Sequence, residues 1–414
     1  MKEDEASFLG RKVSRRSALT LAGAFGARMA LGTGGALSAR ELVDADQTVE
    51  FYGEHQAGIA TPQQDRLHFA ALDLNIWKAE EVRDLVRTWS EAAARMCAGQ
   101  PVGGENHDAF VPPEDTGEAQ DLTAGRLTVT FGFGPTLFEK DGEDRFGFAS
   151  RRPAALEEIP DLPGGNLDPD LSGGDLCVQA CADDPQVAFH AVRNLARIGR
   201  GAAVIRWSQL GFGRTSSTSS AQKTPRNLMG FKDGTNNIRA EEAMDRYVWV
   251  SEGPDWMHGG TYLVARRIRM LIEIWDRSPL LEQEQTIGRH RASGAPLGKE
   301  DEFDPVDLKA KGPDGLPLIP VDSHVRLARK DPDERILRRG YSFTDGMDSK
   351  TGQLDAGLFF IAFQRDPRKQ FVPLQSRLGQ NDRLTEYIQH TGSAVFACPP
   401  GIRRGGYVGE PLLG

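Results

Sequence analysis

Residues 175–199 read DLCVQACADDPQVAFHAVRNLARIG, and their reading decides the fold. Up to Ala182 the stretch is a run of small and apolar residues of strand length. Asp183-Asp184-Pro185 then gives a helix start: a carboxylate to cap the first free amides, and Pro at the first helical position, where its missing N–H does no harm. Ala188, Val192, Leu195 and Ile198 follow on one helical face, and Gly199 closes the helix.

The same pattern extends outward. Residues 69–76 read as a strand, and 78–98 as a helix with Val82, Leu85, Val86, Trp89, Ala93 and Met96 at helical spacing. Leu127, Val129, Phe131 and Phe133 alternate as a half-buried strand should. In the second half, 261–275 reads as a long alternating strand, 358–363 as a buried strand, 381–389 as a helix and 393–398 as a last strand. Strand-helix-strand, twice per half, is the ferredoxin-like plan. The expected fold class is therefore α+β, two ferredoxin-like domains with antiparallel sheets, at residues 50–212 and 225–414. Residues 213–224, rich in Ser and Thr, read as a linker or surface loop. The polar, turn-rich segments 100–125 and 278–320 read as surface decoration.

A net charge of −9 over 414 residues, with no basic tract, argues against a nucleic-acid partner. Beyond the N-terminus no apolar run is long enough to span a bilayer. Ser14-Arg15-Arg16-Ser17-Ala18-Leu19, followed by an Ala- and Gly-rich run to about Ala39, resembles a twin-arginine export signal. Residues 1–40 are thus expected to be a signal peptide and the protein periplasmic or extracellular. Cys97, Cys177, Cys181 and Cys398 lack zinc-binding spacing and read as buried small apolar residues.

Three further stretches carry chemistry. Residues 230–237 read GFKDGTNN, a tight turn in which two glycines bracket the carboxylate of Asp233 and let a backbone or ligand come close at Gly234. His324 lies in VDSHVRLA at 321–328, and the pair Arg338-Arg339 lies in ILRRGYSF at 336–343. An Asp, a His and an Arg in that order and setting resemble the haem site of the dye-decolorizing peroxidases. GEHQAGIATP at 53–62, FAALDL at 69–74, LTVTFGFG at 127–134, GDLCVQACA at 174–182, residues 259–275 and GLFFIAFQ at 357–364 are similar to further blocks of that family. The wording is closest to the exported branch that includes bacterial deferrochelatase/peroxidases.

The resemblance implies a fold of the dimeric α+β barrel type with haem b in the C-terminal half. It implies His324 as the axial iron ligand, tuned by a carboxylate for which Asp382 is the candidate. Asp233 would serve as acid-base group and Arg338 would stabilise charge as the O–O bond breaks. Leu358 and Phe360, on one side of their strand, resemble the apolar pair that caps the peroxide pocket, with ordinary core packing as the other reading. Arg326, on the side of His324 if the segment is extended, would meet a haem propionate, with Asn237, Arg267 and Arg289 as weaker candidates for the region. The implied partners are hydrogen peroxide and a small reductant such as a dye, a phenol or a metal ion. The branch also implies an alternative activity, release of iron from haem in an iron-uptake system. The sequence leaves a homodimer open, and does not choose among Trp77, Trp89, Trp207, Trp249, Trp256 and Trp275 as carriers of electrons from the surface.

Overall fold

The computed structural model describes residues 47–104, 108–218 and 222–414. The proposed signal peptide lies outside them. In the first half, β1 (Arg66–Leu74) leads to α1 (Ala79–Cys97), β2 (Thr128–Phe133), β3 (Leu176–Ala182), α2 (Pro185–Ile198) and β4 (Ala203–Arg214). The second half holds β5 (Thr261–Met270), α3 (Leu280–Ile287), α4 (His324–Ala328), β6 (Leu337–Arg338), β7 (Tyr341–Met347), β8 (Leu354–Gln364), α5 (Phe371–Asn381) and β9 (Ile388–Cys398). At the start of α2, Asp184 accepts the Gln186 amide at 2.7 Å and Pro185 opens the helix, as its sequence dictates.

The strands form one antiparallel sheet in the order β5-β9-β2-β3-β1-β4-β7-β8-β6, and an additional β5–β8 pairing closes it into a ring. The short β6 continues β7 along β8, with Leu337 opposite Phe363 and Tyr341 opposite Phe359 in one register. The ring interior is packed with side chains, among them Phe69, Cys177, Trp207, Leu263, Phe343, Phe359 and Phe396. The ring of Phe69 lies 5.3 Å from both Trp207 and Phe359. On the outer face of the first half, α1 and α2 press Val86, Trp89, Val192 and Leu195 onto Leu72, Phe131 and Val178. Both faces of β1 and β3 are therefore covered, which is why their sequences run almost continuously apolar. All four cysteines are buried and unbridged. Among the described residues no helix is long and apolar enough to cross a membrane.

The structure corrects four expectations. The strand expected over 261–275 ends at Met270, and Ile272–Trp275 form a helical turn. In place of a helix at 381–389 there is a short 3₁₀ turn, Arg383–Glu386, while the long helix is α5. Pro373 near the start of α5 hides it in the sequence, yet Pro is tolerated in a first turn because no intrahelical amide is lost there. Within the Ser/Thr-rich 213–224 segment, Thr215, Ser216, Ser217 and Thr218 are buried, so this stretch is no exposed linker. Ser216 Oγ donates to Gln63 Oε1 at 2.9 Å and Thr218 Oγ1 to the Thr61 carbonyl at 2.8 Å, so these two hydroxyls are satisfied inside. Segment 278–320 likewise buries Thr286, Arg289, Ala295 and Ile319 instead of only decorating the surface.

Candidate active site

Asp233 is presented by a turn in which Gly230 and Gly234 adopt φ of +83° and +94°. A Cβ on Gly234 would lie 2.8 Å from Ser216 Cα, so the buried hydroxyl-rich segment backs directly onto this loop. Arg338 comes from β6. It pairs with Ala362 of β8, and Ser342 pairs with Leu358. Directly opposed residues share a face, so Arg338, Leu358 and Phe360 project outside the ring. Arg339 alternates inward, fully buried, and donates to the Thr61 carbonyl and to Gln64 Oε1, each at 2.5 Å.

The two segments meet through side chains. Arg338 Nη1 donates to Asp233 Oδ1 at 2.5 Å. Among the described residues Asp233 Oδ2 keeps only a long contact, 3.4 Å, from Asn227 Nδ2. Asn237 locks the backbone behind them: its Oδ1 accepts the Arg338 amide at 2.8 Å, and its Nδ2 donates to the Arg338 carbonyl at 2.8 Å and to that of Ser217 at 3.1 Å. The sequence offers Asn237 only as a minor candidate, since a lone Asn carries no signal of so distant a partner.

His324 is the first residue of α4, and its Nδ1–H donates to Asp382 Oδ2 at 2.6 Å. Asp382 is buried, and its other oxygen accepts the Leu384 amide at 2.9 Å, which fixes the carboxylate. Burial of the imidazole favours its neutral form. The charge and hydrogen bond of Asp382, with a further pull from Asp233 against Arg338, outweigh this and leave its pKa above the ordinary value. The imidazole thus feels the charges of Asp233 and Arg338 as well as that of Asp382.

Leu358 packs against the cluster of Met229, Phe231 and Trp275, whereas the ring of Phe360 lies 6.0 Å from Phe371 of α5. They share a face but sit against different neighbours. Arg326 is not beside His324, because the segment is helical and two residues along a helix turn through about 200°. Its guanidinium instead donates to the carbonyls of Leu308 (2.8 Å), Ile319 (2.7 Å) and Pro320 (3.1 Å), tying down the loop before α4. Arg267 lies in an ion-pair network with Asp345 and Asp355, each at 2.8 Å.

Two other arginines, Arg289 and Arg329, form no ion pair with a carboxylate among the described residues, and Arg289 feels the charges of both Arg329 and Arg338. Arg289 is buried and donates to the carbonyls of Gly294 (2.6 Å) and Glu302 (3.0 Å). Burial pushes its pKa down to about 10; Arg329 and Arg338 add to that and Glu302 opposes it. Arg329, also lowered by burial and then by Arg335, has no side-chain partner among the described residues. Clustered, partly desolvated cations of this kind suit a ligand bearing carboxylates. Among the described residues no group of three or more His, Cys, Asp or Glu side chains could hold a metal ion. A single imidazole oriented by a carboxylate suits instead a metal whose remaining ligands arrive with a cofactor, and the donor set fits haem with its propionates.

Comparison with known proteins agrees with this chemistry. Residues 56–213 match the family model "Dyp-type peroxidase, N-terminal" and 224–403 match "Dyp-type peroxidase, C-terminal". The chain is 39% identical over 390 residues to a dye-decolorizing peroxidase of Thermobifida fusca, covering 89% of this chain and 86% of that protein. It is 36% identical over 408 residues to a deferrochelatase of Escherichia coli O157:H7, covering 96% and 94%. Ferric DtpA from Streptomyces lividans superposes with a TM-score of 0.81 at 40% identity, over 91% of this chain and all of the other. The chain belongs to the DyP-type peroxidase family and is a haem-dependent peroxidase.

Proposed function

We propose that this haem b peroxidase divides its labour between two carboxylate pairs, Asp233–Arg338 and Asp382–His324. Haem supplies the redox centre at which hydrogen peroxide is split. His324 would hold the iron through Nε2, the nitrogen that Asp382 leaves free, and Asp382 fixes the ring and raises its donor strength. Asp233 takes a proton from one peroxide oxygen and returns it to the other. Oδ2 is the atom for this, because Oδ1 is occupied by Arg338. Arg338 keeps the carboxylate aimed and its fixed charge stabilises the oxygen that leaves. Leu358 and Phe360 wall the same side of β8 and keep it apolar, and Arg289 and Arg329 would meet the propionates, while Arg326 supports the loop. The observation that carries this reading is the 2.5 Å Asp233–Arg338 contact, beside the 2.6 Å His324–Asp382 contact whose imidazole feels both charges.

Electron donors too large for that space would be oxidised at the surface. Of the six tryptophans only Trp77 is exposed, at 68%. Strand orders β2-β3-β1-β4 and β7-β8-β5-β9 in the two halves support two ferredoxin-like domains, 50–212 and 225–414, sharing one ring. Arg15 and Arg16 support twin-arginine export. Retention inside the cell of a variant with both changed to Lys tests that address.

Stopped-flow mixing of haem-loaded protein with peroxide, following the Soret band, tests the central claim. Asp233→Asn keeps shape but accepts no proton, and the rate falls by about 10²–10⁴-fold. Arg338→Leu costs about 10²–10³-fold. An Asp233→Asn variant as fast as wild type removes Asp233 from the proton transfer. The relatives named deferrochelatase favour iron release as a second reading, and iron-free porphyrin among the products, without peroxide turnover, would select it.

A further inference from the structure

Among the contacts of the 278–320 segment with the Asp233 loop, Glu302 makes side-chain hydrogen bonds on both flanks of Asp233. Glu302 is 9% exposed at its side chain, and its two carboxylate oxygens are divided between the two flanks of Asp233. Oε2 accepts from Lys232 Nζ at 2.5 Å and Oε1 accepts from Thr235 Oγ1 at 3.0 Å. Residues 232 and 235 are the nearest side chains on either side of the Asp233-Gly234 step, so one carboxylate grips both ends of the turn that presents the acid-base group. The grip is itself anchored. The Glu302 carbonyl takes a hydrogen bond from buried Arg289 at 3.0 Å, and a Cβ on Gly294 would come within 2.6 Å of the Lys232 side chain, so the loop lies flat along it. Burial alone would raise the Glu302 pKa, yet the hydrogen bonds from Lys232 and Thr235 and the Lys232 charge hold it below the ordinary value, as expected for a carboxylate kept charged for this purpose.

We propose that Glu302 is a positioning residue for peroxide cleavage: with Lys232 and Thr235 it clamps the turn so that Asp233 Oδ2 is held ready while Oδ1 stays on Arg338. Among the described residues the Asp233 side chain receives the Arg338 bond and the long Asn227 contact, and these do not by themselves fix a carboxylate on a glycine-flanked turn. An oriented proton acceptor displaced by about 1 Å can lose roughly 10²-fold in rate. The clamp is therefore expected to matter for peroxide cleavage and not for haem binding. The proposal rests on Asp233 being the acid-base group.

The test compares haem-loaded wild type with Glu302→Ala, Glu302→Gln and Asp233→Asn. Two readouts are taken: the peroxide rate constant by stopped flow, and hydrogen exchange by mass spectrometry of the peptide covering 225–239, also in the haem-free protein. Expected for Glu302→Ala are exchange at least about tenfold faster in that peptide alone and a peroxide rate lower by about 10–10²-fold. Haem content, Soret spectrum and the KM for the reductant stay as in wild type. Glu302→Gln, which can still accept from Thr235, recovers part of both effects. Unchanged exchange, or loosened exchange with an unchanged peroxide rate, overturns the clamp. So does a loss of rate explained wholly by lost haem. If Asp233→Asn is itself as fast as wild type, the acid-base reading fails and with it the catalytic purpose of the clamp, whereas a slow Asp233→Asn variant beside a fast Glu302→Ala variant strikes down the clamp alone.

Discussion

At the scale of single residues, the site consists of groups whose local sequence announces them and groups it cannot announce. Asp233 sits between two glycines, His324 and Arg338 sit in distinctive stretches, and all three can be picked out by reading along the chain. Asp382 is recognisable only as a carboxylate at a suitable place, and its partnership depends on a 2.6 Å contact between segments 58 residues apart. That contact yields a prediction. Asp382→Asn keeps a hydrogen-bond acceptor for His324 but removes the charge that orients the ring and strengthens it as a donor. Haem affinity or peroxide activity should drop by about 10–100-fold, the usual cost of losing such a partner, while His324→Ala loses most of the haem. Haem titration and the peroxide rate measure both. An Asp382→Asn variant equal to wild type in each would reduce Asp382 to the cap of its 3₁₀ turn, where its Oδ1 holds the Leu384 amide. Arg326 teaches the opposite lesson: the side on which it lies depends on whether residues 324–328 are extended or helical, and they are helical. Glu302 carries no sequence signal at all, lying in a polar segment without periodicity.

Among elements, those with strong periodicity or caps are legible and those held by distant partners are not. Helices α1 and α2 stand where their apolar spacing and the Asp184-Pro185 start place them. Segment 213–224 reads as a linker or surface loop because Ser and Thr are common in loops, yet the hydroxyls of Ser216 and Thr218 find acceptors at Gln63 and Thr61, far back in the chain. The consequence falls on the loop it supports. Gly230 and Gly234 both have positive φ, but their surroundings differ. A methyl on Gly230 would meet the far end of the Arg291 side chain at 2.7 Å, which can swing aside, whereas one on Gly234 would meet the Ser216 backbone at 2.8 Å, which cannot. Positive φ alone costs an Ala about 1–2 kcal/mol at either site. Gly234→Ala should therefore lower the melting temperature more than Gly230→Ala and slow the peroxide reaction, because Asp233 must move with the loop. Equal melting temperatures for the two variants would mean that the Ser216 contact exerts no constraint.

For the molecule as a whole, the closed ring makes burial the governing condition, and burial reaches two further histidines. His68 on β1 is stacked on Phe189 at 5.7 Å, and its Nδ1 is buried without a hydrogen-bond partner among the described residues. Burial pushes its pKa from 6.5 down to about 4. His390 on β9 accepts a hydrogen bond from Arg266 Nε at 3.3 Å, and burial, with the Arg266 charge, pushes its pKa down to about 3. Both rings bind a proton more readily in the unfolded chain than in the folded one. Their contribution to stability is thus complete above the unfolded value of 6.5 and is lost as pH falls through about 4 for His68 and about 3 for His390. Within that window each should cost about 1.4 kcal/mol per pH unit, one proton's worth. The melting temperature of the haem-loaded protein should accordingly decline from pH 6.5 towards 4. Replacing His68 with Leu removes one of the two protons and should flatten the decline without changing the Soret band, since His68 faces α2 and Phe189, far along the ring from β6 and β8. Melting curves of wild type and the His68→Leu variant that stay parallel over this window would show that the His68 ring is charged in the folded state, and that the covered face of β1 admits water.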